Sequence, residues 1–175
     1  MENRKLLKKI ISYGLIILLA VFARLIPHSP NFAPIGGLAL FSGSKFKKNI
    51  ALLIPLFAML ISDLFLGFHN TIVYVYVSFI ITVLIGRMIK NNNWQSLALA
   101  SLTSSVLFFL ITNFGVWAAA GSMYPKTIDG LWQSYLLGLP FFRNTLLSDF
   151  FYTFSFFYSH RFLSNFLLKK PSLLG

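Results

Sequence analysis

Arg24, Asp63, Asn113 and Asp149 stand inside stretches that are otherwise almost wholly apolar. An ionisable side chain within a hydrocarbon layer costs about 2.5–3.5 kcal/mol on insertion scales, so each calls for a partner or a hydrated site. Their chemistry is that of recognition. Arg24 suits an anionic group, whereas Asp63 and Asp149 suit a cationic or hydrogen-bond-donating one. Motifs for bond-breaking chemistry are missing: there is no His-Glu-x-x-His, no Gly-rich phosphate loop and no Gly-x-Ser-x-Gly elbow. The three histidines lack a metal-ligand spacing, Glu2 is the only glutamate, and the absence of cysteine removes thiolate sites and disulfides. The chain reads as a non-enzyme that needs no cofactor.

The elements that must hold these residues are membrane helices. Hydrophobic residues make up 57% of the 175 and charged ones 11%, against about 25% charged in soluble domains. Six apolar runs cover about 10–26, 32–44, 50–68, 71–89, 96–119 and 144–168. Five approach or exceed the ~20 residues that cross a ~30 Å hydrocarbon core. The second, at 13 residues, reaches only about 20 Å. The expected fold is therefore all-α, a polytopic membrane protein with six transmembrane helices in one bundle, the second helix short, and residues 1–175 forming a single domain. The first run is read as an uncleaved anchor, since Ala20 and Ala23 do not make a small-x-small cleavage site.

Charge placement supports six crossings. A net charge of +11 would suggest nucleic acid in a soluble protein, but here Lys and Arg cluster between apolar runs, so no nucleic-acid partner is expected. With six spans and a cytoplasmic N-terminus, 12 basic residues lie inside and only Arg24, Lys126 and Arg143 outside. If the second run does not cross, the split becomes 6 inside and 9 outside. The positive-inside rule prefers the first arrangement, with both termini cytoplasmic.

On this topology Asp63 and Asp149 lie about 7–8 Å and Asn113 about 9 Å below the outer surface, and Arg24 is near the outer end of the first span, so the four polar residues fall in one layer. Thr145, Asp149, Tyr152 and Thr153 share a helix face, as do Asn113 and Trp117. His28, Asn31 and His69 lie in the outer loops, and residues 27–34 hold three prolines that favour an extended connection. A substrate site made of Arg24, Asn31, Asp63, Asn113, Trp117, Asp149 and Tyr152 is the expectation. It is roofed by 27–34 and by the long 121–143 connection, where Trp132 and Tyr135 suit an interfacial or partly re-entrant helix. The same residues also suit a purely structural role, with Arg24 pairing an aspartate and Asn113 bonding between helices. Ser62-Asp63-Leu64-Phe65 and Ser148-Asp149-Phe150-Phe151 look alike but are expected in the same leaflet. An inverted duplication would separate them, so they read as a shared local solution.

The stretch RLIPHSPNFAPIGGLALFSG at 24–43, followed by SDLFLGFH at 62–69, resembles a family of uncharacterised small bacterial membrane proteins. More distantly, the size, six spans and outer polar layer are similar to the S components of energy-coupling-factor vitamin transporters. That resemblance implies a subunit of the bacterial cytoplasmic (inner) membrane that binds a vitamin-like molecule from outside. A partner transmembrane coupling subunit and ATPases would carry the molecule through. S components often present Ala-x-x-x-Ala on the first span, whereas Ala20 and Ala23 are three apart. A structural or scaffolding membrane protein of the cell envelope, with no small ligand, is the alternative.

Overall fold

The structure, a computed structural model, describes residues 2–26 and 29–168. Among these residues there are six helices and no strands: α1 (Glu2–Leu25), α2 (Ile35–Lys45), α3 (Lys48–Leu66), α4 (Ile72–Met88), α5 (Trp94–Ala118) and α6 (Ile128–Leu168). Five of the six begin and end within a few residues of the apolar runs or extend past their polar flank. The exception is α6. It is one helix of 41 residues, beginning 16 residues before the expected start at 144. The interfacial or partly re-entrant helix expected within 121–143 is, from Ile128 onward, continuous with the last helix.

Local chemistry marks the helix ends. Asn93 caps α5, its side chain accepting from the Ser96 N–H at 2.9 Å, and Thr127 Oγ1 accepts from Gly130 N–H at 3.2 Å before α6. Gly67 closes α3 at φ 93°, and its N–H reaches the Asp63 carbonyl at 2.8 Å. Pro34 stands at the start of α2 with φ −74°, where a missing N–H costs nothing.

The bundle is built around α2. Every residue from Ile35 to Gly43 is buried, with α3, α4 and α6 packed against it and α1 and α5 completing the ring. Small residues allow this closeness. A Cβ on Gly37 would meet the backbone of Tyr152 and Thr153 on α6, and Gly43 and Gly86 bring α2 and α4 into backbone contact. With 11 residues α2 is about 16 Å long, roughly half a hydrocarbon core. Being covered by protein on all sides, it faces nothing that would require a longer helix.

The outside of the bundle is apolar. Leu15, Leu18, Leu19 and Phe22 on α1, Leu53, Phe57, Leu64 and Phe65 on α3, and Val73, Val77, Ile80 and Leu84 on α4 are all exposed. Polar side chains are turned inward instead: Ser42, Ser62, Asp63, Ser78, Thr82, Ser101, Ser105 and Asp149 are buried. Two helices, over Asn49–Leu66 and Trp94–Ala118, are long and apolar enough to cross a membrane. Tyr13–Leu25 and Ile72–Met88 are shorter apolar helices.

Candidate ligand-binding cavity

Where α1, α3, α4, α5 and α6 surround the first turn of α2, a cavity of about 280 Å³ opens. Arg24, Asn31, His69, Thr82, Thr145, Ser148 and Asp149 are its polar lining, and Met59, Val75, Phe79 and Phe108 are among its apolar lining. The phenyl rings of Phe79 and Phe108 are packed on each other, centroids 5.2 Å apart. A second cavity of about 360 Å³ adjoins it, sharing Asn31, His69, Val75 and Phe108 and adding Thr112, Asn113, Tyr124 and Ser134.

The two aspartates have different surroundings. Arg24 Nη2 donates to Asp63 Oδ1 at 3.1 Å, and Tyr76 donates its hydroxyl to Oδ2 at 3.1 Å. Arg24 Nε donates to Ser62 Oγ at 2.6 Å, and Ser62 in turn donates to the Met59 carbonyl. Both oxygens of Asp63 are therefore engaged, and the charge is balanced within one compact cluster joining α1, α3 and α4. Asp149 is also buried, but among the described residues its carboxylate is bonded only by a hydroxyl, Ser105 Oγ, at 2.7 Å from Oδ2. Its Oδ1 lies against Gly36, where a Cβ would overlap it. Among the described residues the one salt bridge is Arg24–Asp63, so no cation reaches Asp149.

The loop over the cavity is fastened to α6. Asn144 Nδ2 donates to the Pro30 carbonyl at 2.9 Å, and Ser148 Oγ to the Asn31 carbonyl at 3.3 Å. Asn31 adopts φ 61°, a left-handed conformation that asparagine tolerates better than most residues. Phe32 packs on Phe151 and Tyr152. Pro27 and His28, which were expected to belong to this roof, lie outside the described residues.

Residues 4–171 match a family described as of unknown function, DUF6580. The chain belongs to that family. No curated protein and no solved structure matches it.

Of the seven residues expected to form the site, Arg24, Asn31 and Asp149 line the inner cavity. Asp63 stands behind Arg24 as its ion-pair partner. Asn113 lines the outer cavity only, with Nδ2 donating to the Phe109 carbonyl at 2.8 Å. The expected common depth does not hold for it. Asp149 is level with Ser105, which precedes Asn113 by eight residues, or about 12 Å of helix. The depth of Asp149 had been counted from a helix start at 144, and α6 actually starts at Ile128.

Trp117 and Tyr152, expected as flat walls, stand outside both cavities. Trp117 Nε1 donates to the Pro125 carbonyl at 3.0 Å, and Lys126 caps the end of α5 by donating to the Trp117 and Ala119 carbonyls. This fastens the turn between α5 and α6. Tyr152 packs among Phe32, Phe151 and Phe156. Sequence reasoning missed Tyr76, Ser105 and Gly36. The signal for Ser105 was present, since Ser101, Ser104 and Ser105 form a hydroxyl stripe on one face of an apolar helix.

Proposed function

We propose that the chain is a six-span protein of the bacterial cytoplasmic (inner) membrane, with both termini cytoplasmic. In this reading it binds a small, vitamin-like molecule from the extracytoplasmic side as the substrate-binding subunit of an uptake transporter. The supporting observation is the cavity at the Arg24–Asp149 level, lined by both polar and apolar side chains, beneath a loop fastened to α6. Such a mixed lining is the usual form of a small-ligand site. An apolar exterior with hydroxyls and carboxylates turned inward fits a lipid surround, the reverse of a water-facing surface. The shortness of α2 does not oppose six crossings, because a segment buried in protein need not match the bilayer by itself.

No nucleotide-binding motif is present, so accumulation against a gradient would draw on ions or partner subunits, and the distant likeness to S components implies a transmembrane coupling subunit and ATPases. Ala20 is fully buried, so any docking face on α1 is the exposed row Leu15, Leu18, Leu19 and Phe22. The scaffolding alternative draws on the Arg24–Asp63–Tyr76 cluster, which is complete without a ligand. Native mass spectrometry of gently purified protein separates the two. A co-purifying small molecule or coupling subunit is expected. Repeated isolation of the bare chain, with stability insensitive to any small molecule, would replace the transport reading by the scaffold.

A further inference from the structure

Resting on the substrate-binding reading, we infer that the ligand carries a positively charged ammonium group, recognised by Asp149, on an apolar body that lies against Phe79 and Phe108. Arg24 is the other charged group on the cavity wall, and its charge is balanced by Asp63 at 3.1 Å. The wall thus holds one carboxylate in excess. A buried carboxylate without a countercharge is costly, and a ligand cation supplies that countercharge. Asp149 Oδ2 already accepts from Ser105, while Oδ1 has no hydrogen-bond partner among the described residues and is free to accept from the ligand.

The rest of the cavity fits an organic cation better than a metal ion. Among the described residues no group of three His, Cys, Asp or Glu side chains gathers, so Asp149 has no companion of the kind a divalent ion prefers. Instead Phe79 and Phe108 line the same space, and aromatic faces attract ammonium groups within about 6 Å. Met59 and Val75 add further apolar wall for the body of the ligand. Thr145, one turn before Asp149 on α6, and its neighbour Ser148 give hydroxyl oxygens within the same lining for the remaining ammonium hydrogens.

The experiment is thermal unfolding of the detergent-purified full chain with three probes of one shape: benzylammonium, benzyl alcohol and benzoate. Benzylammonium alone is expected to raise the Tm, and Asp149→Asn to weaken its apparent Kd by roughly tenfold or more. Gly14→Ala, on α1 with nothing within 4 Å, should keep the response. If Asp149→Asn does not fold, Asp149→Ser, which also removes the carboxylate, takes its place, and an unchanged affinity there overturns the assignment. Benzoate matching or exceeding benzylammonium overturns it in favour of recognition by Arg24, and equal responses to all three show no selection by charge. Silence from all three while native mass spectrometry still finds a bound small molecule rejects the ammonium assignment but keeps the binding reading. Silence with no bound molecule rejects both.

Discussion

Ser42 of α2 donates its hydroxyl to the carbonyl oxygen of Ala51 in α3 at 2.8 Å. That carbonyl is the one that Pro55, lacking an N–H, leaves without its helical donor four residues on. Proline inside a helix is thereby accommodated by a side chain from a neighbouring helix, and α2 and α3 are joined at the same point. Ser42→Ala is expected to lower stability by about 1–3 kcal/mol, the cost of a buried acceptor left unmatched. In a Pro55→Ala background the loss should shrink to a few tenths, because the helix then provides its own donor. Additive losses in thermal unfolding of the four proteins would show that Ser42 acts by packing alone.

Asp63→Leu is expected to destabilise strongly, toward the about 3–5 kcal/mol seen when one member of a buried pair is removed. Arg24 is 14% exposed and Asp63 2%, so the orphaned guanidinium has little water to turn to. Asp63→Asn keeps an acceptor for Tyr76 and should fall between wild type and Asp63→Leu. Replacing both partners, Arg24→Met with Asp63→Leu, should recover part of the loss. A double-mutant loss equal to the sum of the separate Arg24→Met and Asp63→Leu losses would mean that the pair contributes no coupling, and denaturation midpoints decide the matter.

The glycines divide sharply by surroundings. A Cβ at Gly86 would collide with the Leu40 backbone, whereas at Gly14, mid-helix in α1, nothing lies within 4 Å. Gly86→Leu should abolish the folded yield by forcing α2 and α4 apart. Gly14→Ala should raise stability by about 0.5–1 kcal/mol through helix propensity alone. Size-exclusion profiles and Tm for the two variants test this, and a well-behaved Gly86→Leu protein would contradict the packing described for α2.

The proposed six crossings would place Met123, 86% exposed between α5 and α6, on the outer side and Asn92 on the inner. Single cysteines are cleanly read in a chain that has none. Met123→Cys should react with an impermeant maleimide on intact cells, and Asn92→Cys only after permeabilisation. Reactivity of Asn92→Cys on intact cells would overturn the topology.

Helix positions were readable because apolar runs and their polar flanks are strong signals, and five of six helices begin and end close to them. The start of α6 was not readable. Pro140, Arg143 and Asn144 look like a break, yet α5 lies alongside and holds the helix continuous, with Tyr135 bonded to the Leu110 carbonyl and Phe142 against Phe109. That single error shifted the depth of Asp149 relative to Asn113. The presence of an Arg–Asp pair was foreseeable from cost alone, but which aspartate Arg24 takes depends on Tyr76 and Ser62, whose approach is a tertiary fact. Trp117 looked like a cavity wall because of its spacing from Asn113. Its actual partner, Pro125, sits in a turn whose shape periodicity does not describe.

A helix with no exposed face also orders events during synthesis. The surface of α2 at Gly36 and Gly37 is covered by Asp149, Tyr152 and Thr153, which the ribosome makes more than a hundred residues later. Until α6 emerges, that side of α2 is bare, and the carboxylate that would select a ligand has not yet been translated. The cavity therefore comes into being only with the last helix, and a nascent or truncated chain lacks it until the fold is complete.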